Sequence, residues 1–302
     1  MKRKLVQQGE ATLMVSLPSK WIKDNEMQKG DSVDLEEHEG KLVLSKDLQG
    51  RKKERIIQLT SSTESAIRVA IVNAYRSGYD LVHINFQNHK QYTLIQKILK
   101  DYIFGFEIVH TDEKKCSIEN ITEPSPEQFD VLLQKIFDNT KSLLGFTRQR
   151  LQGAAVKEDY LAITHRVHQY DNFCRRVISK TNKFGSASTS FWTFLSLLLH
   201  AQRELYHLNQ YLDKNKVLFK EKALFEGFER ILEALLQAYK QKNIEEIDLI
   251  HTLEKELVYK EFYRIVQKGK KEAIITHHLT TGIKELYLAS SPLMTVILHE
   301  RH

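Results

Sequence analysis

Proline is almost confined to the edges of this sequence. There are four, Pro18, Pro124, Pro126 and Pro292, and none falls between Glu127 and Ser291, where glycine is sparse too. A stretch that long without a breaker, full of Leu, Gln, Lys, Glu and Ala, predicts helix after helix. The pattern reads as helices near 127–150, 155–182, 188–213, 216–242, 244–268 and 271–300. Gly153, Gly185 and Gly269 fall near the gaps, as do the polar runs at 180–183 and 240–243. Two groups of three helices suggest a duplicated bundle. A local echo supports this: Arg203-Glu204-Leu205-Tyr206 in the third helix matches Lys284-Glu285-Leu286-Tyr287 in the sixth. The TEPSP run at 122–126 predicts a linker and a helix start.

The first fifty residues have a different texture. Residues 12–17 (TLMVSL) read as a strand stopped by Pro18, which has no N–H for a sheet ladder. Residues 19–26 (SKWIKDNE) suffice for about two helical turns, with Ser19 as the expected N-cap. Gly30-Asp31 predicts a turn, 32–36 (SVDLE) an alternating strand, Glu39-Gly40 a second turn, and 41–44 (KLVL) a last strand. A unit this small buries too little apolar surface to stand alone. Two copies exchanging strands across a two-fold axis would supply the missing partner.

Between these regions the character is mixed. Residues 55–59, 80–86, 106–111 and 116–121 read as strands, and 62–76 and 91–103 as helices, with Gly78 as the expected stop of the first. The alternation predicts a small α/β unit. No glycine-rich phosphate loop follows either early strand, and the segment carries no catalytic signature.

At 302 residues the chain is long enough for two or three domains. Its apolar runs, such as 194–199 (FLSLLL), are too short to span a bilayer. The basic start MKRKLVQQGE has no apolar h-region. Cys116 and Cys174 are the only cysteines, which gives neither a disulfide framework nor zinc-knuckle spacing. A cytoplasmic protein is expected. The net charge of +6 favours a polyanionic partner only weakly, but the charge is segregated. Lys2, Arg3, Lys4, Lys20 and Lys23 come early, Asp31, Asp34, Glu36, Glu37 and Glu39 late, and Arg51, Lys52, Lys53 and Arg55 follow.

Gly9, Thr12, Val15-Ser16-Leu17-Pro18, Trp21, Lys29-Gly30-Asp31 and Gly40-Lys41-Leu42 keep a specific spacing. On these residues the opening segment resembles the AbrB/SpoVT swapped-hairpin DNA-binding domain. The resemblance implies a homodimer docked on double-stranded DNA through basic residues near the strand ends and the short helix. The matching positions here are Arg3, Lys4, Lys20 and Lys23. The adjacent arginine pair often found in that helix is replaced by Trp21-Ile22-Lys23. Lysine contacts phosphate as a point charge and reads guanine edges less well than the arginine fork, so modest sequence specificity and strong salt dependence are expected. Trp21 is expected in a core or dimer seam.

As an arrangement, nearly the whole chain resembles archaeal-type proteins that join such a domain to a PhoU domain, the phosphate-uptake regulators built of two three-helix halves. The local likeness lies in Asp171-Asn172-Phe173-Cys174-Arg175-Arg176 and, in the connecting region, in Ala74-Tyr75-Arg76-Ser77-Gly78-Tyr79-Asp80. That family often holds metal clusters through an acid-x-x-x-Asp motif on the third helix of each half. Aligned on the echo, this chain offers His200 and Glu204, with His207 a turn further on, and in the second half Thr281 and Glu285, with His277 and His278 earlier. The acid pairs are incomplete. His200, Glu204 and His207 at i, i+4 and i+7 would still suit zinc or a similar borderline divalent ion. An exposed polar stripe is the plainer alternative. His165, His168 and Asp171 form a second series, at spacing three.

The expectation is thus a multidomain α+β protein: a swapped-hairpin unit at 1–50, a small α/β unit at 51–122 and a PhoU-like six-helix unit at 123–302. It would be a non-enzymatic, phosphate-responsive transcriptional regulator that binds DNA as a homodimer. The alternative is an adaptor for a phosphate transporter or sensor kinase, with the first unit serving only dimerisation. No catalytic residues, no certain cofactor and no membrane insertion are expected.

Overall fold

The computed structural model describes residues 2–38, 40–46, 52–122, 125–154 and 159–300. Glu39 of the expected second turn, Arg51 of the basic run, Glu123 and Pro124 of the linker and the expected start of a helix at 155 lie outside the described residues. Helix makes up 65% of the structure, so the class is mixed α+β with a helical bulk. The chain divides into two compact units, 1–51 and 52–302.

The first unit is built of two hairpins and one short helix. Strands β1 (Val6–Gln8) and β2 (Thr12–Met14) pair antiparallel, and β3 (Val33–His38) and β4 (Lys41–Lys46) do the same. Among the described residues the two hairpins do not share a sheet. β1 carries no run of β-formers and was not expected; β2 is shorter than expected because its partner offers only three residues to the ladder. Helix α1 (Ser19–Asp24) starts one residue earlier than Ser19 as a cap would allow. Pro18 holds the cap position and its carbonyl accepts the Ile22 N–H at 3.1 Å, which leaves Ser19 inside the helix. Lys29-Gly30-Asp31 closes a tight turn: the Asp31 N–H donates to the Gln28 carbonyl at 3.1 Å and the Gln28 N–H to Asp31 Oδ2 at 2.7 Å. Gly30 has φ of +102°, a conformation side chains disfavour.

No described residue of this unit is buried. Leu13 is 62% and Leu42 67% exposed, and Val6, Val15, Leu35 and Val43 are exposed with them. The period-two patterning of the strands thus supplies apolar faces that no described residue of this unit covers.

The second unit opens with a two-layer α/β element. A four-stranded sheet runs in the order β5 (Glu54–Gln58), β6 (Leu81–Asn85), β8 (Lys115–Asn120), β7 (Phe106–Thr111). β5 and β6 are parallel, connected through α2 (Glu64–Arg76); the other two pairings are antiparallel. Helices α2 and α3 (His89–Tyr102) bury Ile67, Ile71, Tyr75, Ile95 and Ile98 in one core with Val82, Ile84 and Ile118 of the sheet. Asn88 caps α3 by accepting from the Gln91 N–H.

The helical bulk comprises α4 (Phe129–Leu151), α5 (Tyr160–Thr181), α6 (Ser188–Lys214), α7 (Ala223–Gln241), α8 (Glu245–Glu256), α9 (Phe262–Val266) and α10 (Lys270–Glu300). α4 packs on α5, α6 and α7, while α10 packs on α6, α7 and α8, around one continuous core. The helix expected across 244–268 is interrupted by a π-helical turn, Leu257–Glu261, between α8 and α9. The extra residue of a π turn rotates the buried face. Leu257, the first residue of the turn, fills the space a side chain at Gly227 would need, its Cδ1 2.2 Å from where that Cβ would stand. Among the described residues no helix is long and apolar enough to cross a membrane.

The α/β element and the helical bulk keep separate apolar cores, yet they form one compact unit. A polar latch on α5 joins them, as the contacts of α5 with α2 and α3 make plain.

Candidate functional site

The latch is made by the two motifs singled out at 74–80 and 171–176. Asp171 is buried between two guanidinium groups, 2.9 Å from Arg76 Nη2 and 2.9 Å from Arg175 Nε. Arg175 also donates to the Trp192 carbonyl and to Ser196 Oγ. Asn172 accepts from Arg76 Nε at 2.7 Å and donates to the Tyr102 carbonyl at 2.6 Å. Arg176, fully buried, donates to the carbonyls of Tyr75 and Tyr79 and to Asp80 Oδ1 at 2.6 Å, and stacks on Tyr75 and Phe106. Burial draws the Arg76 guanidinium below its ordinary pKa against the opposing pull of Asp171. Burial alone would raise the Asp80 carboxyl. Hydrogen bonds from Lys180 and the Lys53 N–H, with the charges of Lys180 and Arg176, outweigh it and hold Asp80 below the usual carboxylate range.

The four expected DNA contacts are exposed: Arg3 and Lys4 in the irregular lead into β1, Lys20 and Lys23 on α1. Spacing of three puts Lys20 and Lys23 on one helical face. Among the described residues none of the four is paired with a carboxylate, and no hydrogen bond joins Arg3 or Lys4 to α1. Trp21 and Ile22 are half-buried.

The candidate metal ligands sit on the seam between α6 and α10, where the two helices bring together residues from both halves of the sequence echo. His200 Nδ1 lies 3.7 Å from Glu285 Oε2, and His278 Nδ1 lies 2.8 Å from Glu204 Oε2. Each carboxylate thus faces an imidazole of the opposite helix. His207 does not join them; its Nδ1 lies 3.1 Å from Gln210 Oε1 and its ring packs against Tyr206. The expected set of His200, Glu204 and His207 on one helix is divided in this way: the opposing helix partners His200 and Glu204, while His207 turns to Gln210 on its own helix. Among the described residues no group of three or more His, Cys, Asp or Glu side chains converges as a metal site.

The second histidine series divides too. His165 and His168 both pack on the Tyr102 ring, at 5.4 and 5.3 Å, while Asp171 turns to the arginines. Burial pushes the His168 imidazole down to about 4, so it is neutral at pH 7. Burial likewise pushes the Cys116 thiol up to about 11 and the Cys174 thiol well above its ordinary value, so neither offers a thiolate.

Sequence reasoning missed one feature, a cleft of about 460 Å³ between α2, α3, α5 and α6. Arg68, Arg76, Arg203, His165, His168 and His207 line it, together with Tyr102, Tyr206 and aliphatic side chains, and among the described residues no carboxylate does. Its residues come from four separate stretches of sequence, and no local spacing marks them as a set.

No protein-family model matches the chain, and neither a curated protein nor a solved structure matches it.

Proposed function

We propose that this protein is a non-enzymatic DNA-binding transcriptional regulator, acting as a homodimer through its first unit and responding through its helical unit to phosphate status. One observation carries the dimer: two hairpins with apolar faces and no buried residue among those described. A unit of this size needs covering, and a second copy interleaving its hairpins supplies it. The DNA reading draws on the likeness to swapped-hairpin domains and on Arg3, Lys4, Lys20 and Lys23, which are exposed and have no carboxylate partner among the described residues. The phosphate reading draws on the likeness of 171–176 and 74–80 to phosphate-uptake regulators.

The test is binding of the full chain to short duplexes, followed by fluorescence anisotropy. A dimer presenting about eight such cations should lose roughly 10³–10⁵ in affinity between about 50 and 200 mM salt. The Lys20→Glu/Lys23→Glu double variant should bind more than about tenfold more weakly at low salt, by the same counterion argument. A folded dimer that shifts no duplex selects the adaptor reading instead, in which the first unit only dimerises.

A further inference from the structure

We infer that the cleft between α2, α3, α5 and α6 binds a small organic phosphate, with its phosphoryl group held among guanidinium groups and its organic body against the Tyr206 side. The inference is independent of the DNA-binding reading and would hold equally for an adaptor.

The charge balance of the cleft points to an anion. Three guanidinium groups line it. Arg76 is matched by Asp171 at 2.9 Å. Arg68 is only loosely matched, since Glu64 lies 3.9 Å away. Arg203, exposed on α6, has no carboxylate partner among the described residues. His165 has Asp101 at 3.8 Å as its acidic neighbour, and His168 is neutral. The surplus is positive, which disfavours a metal cation and favours an anionic group.

The geometry narrows the anion further. Arg68 is held in place: its Nη1 donates to the Tyr102 hydroxyl at 3.0 Å and its guanidinium stacks over that ring at 5.1 Å. The remaining cationic and polar groups approach from different helices, α2, α5 and α6. A tetrahedral phosphoryl group presents oxygens in several directions and suits donors arranged around it, whereas a planar carboxylate is satisfied by one fork. At about 460 Å³ the cleft is far larger than inorganic phosphate requires and lies within the range of small-molecule sites. Val69, Val72, Leu199 and Tyr206 give it an apolar and aromatic wall, which a free ion would leave unused.

Calorimetric titration of the full chain, without DNA, tests this. The probes are ADP and glucose 6-phosphate as organic phosphates, adenosine as a body without phosphate, inorganic phosphate, and citrate. At least one organic phosphate should bind saturably, more tightly than inorganic phosphate, and adenosine should not bind. Arg203→Gln should weaken that binding roughly tenfold or more, as expected for a lost charge-assisted contact. Arg203 takes no part in the α5 latch, so a melting curve like that of the natural chain is expected for the variant. Arg68→Gln should act in the same direction. No saturable binding of either organic phosphate at millimolar concentration overturns the proposal. So does unchanged affinity in both variants, or citrate binding as tightly as the organic phosphates.

Discussion

Asp171 is 1% exposed and shared by Arg76 and Arg175, which makes it the most consequential single carboxylate in the second unit. Removing one member of a buried ion network leaves the other charges uncompensated. Asp171→Ala should therefore cost about 3–5 kcal/mol, read from urea denaturation of the full chain. Loss of less than about 1 kcal/mol would show that water can reach the arginines. His168 gives a second prediction, in pH. In the unfolded chain a histidine takes up its proton near pH 6.5, whereas the folded His168 resists protonation down to about 4. Between those values only the unfolded state gains the proton, so stability falls as pH drops through this window and is unaffected above it. His168→Gln should flatten the stability curve between pH 6.5 and 4 by on the order of 2 kcal/mol, and an unchanged slope would assign it to another group. At this scale the sequence is only half legible. The residues at 74–80 and 171–176 stand out by their pattern, but they meet across nearly a hundred positions, and no local rule pairs Arg76 with Asp171 or Arg176 with Asp80.

Elements are more legible than contacts. Strong periodicity and the missing prolines place the long helices close to where α4, α6 and α10 run, while α7 begins at Ala223, seven residues after the expected start at 216. The failures occur where tertiary demands outweigh local preference. β1 is a VQQ strand that exists only because β2 pairs with it, and the π turn at Leu257–Glu261 answers the gap at Gly227, which lies on another helix. Gly105 shows the same dependence. It has φ of +73°, and a Cβ there would stand 1.9 Å from the Thr122 carbonyl oxygen, a backbone atom that cannot swing aside. Thr122 in turn carries the chain from β8 toward the bundle. Gly105→Ala should thus destabilise the α/β element by at least about 2 kcal/mol, since the left-handed conformation alone costs about 1–2. Faster amide hydrogen exchange in β7 and β8, with α6 and α10 unchanged, is the expected signature. An unchanged exchange pattern would mean that the loop at 121–122 relaxes freely.

For the molecule as a whole, the contrast between the two units is what supports the proposed homodimer. The second unit buries two cores, whereas the first has no buried residue among those described. In an isolated chain Leu13 and Leu42 would be ordinary surface residues, and replacing them with glutamate would be nearly neutral or favourable to solubility. In an interleaved dimer the same positions lie in the seam, and a buried unpaired carboxylate there costs several kcal/mol. Leu13→Glu/Leu42→Glu in the full chain should therefore convert a dimer into a monomer by sedimentation, abolish duplex binding and leave the helical signal of the second unit intact. The natural chain should also show a melting transition of the first unit that rises with protein concentration, because association and folding are one equilibrium there. A variant that sediments as the natural chain does, with the same melting behaviour at every concentration, would mean that these apolar faces are covered by something other than a second copy. The two-fold arrangement of basic residues proposed for duplex binding would then be lost.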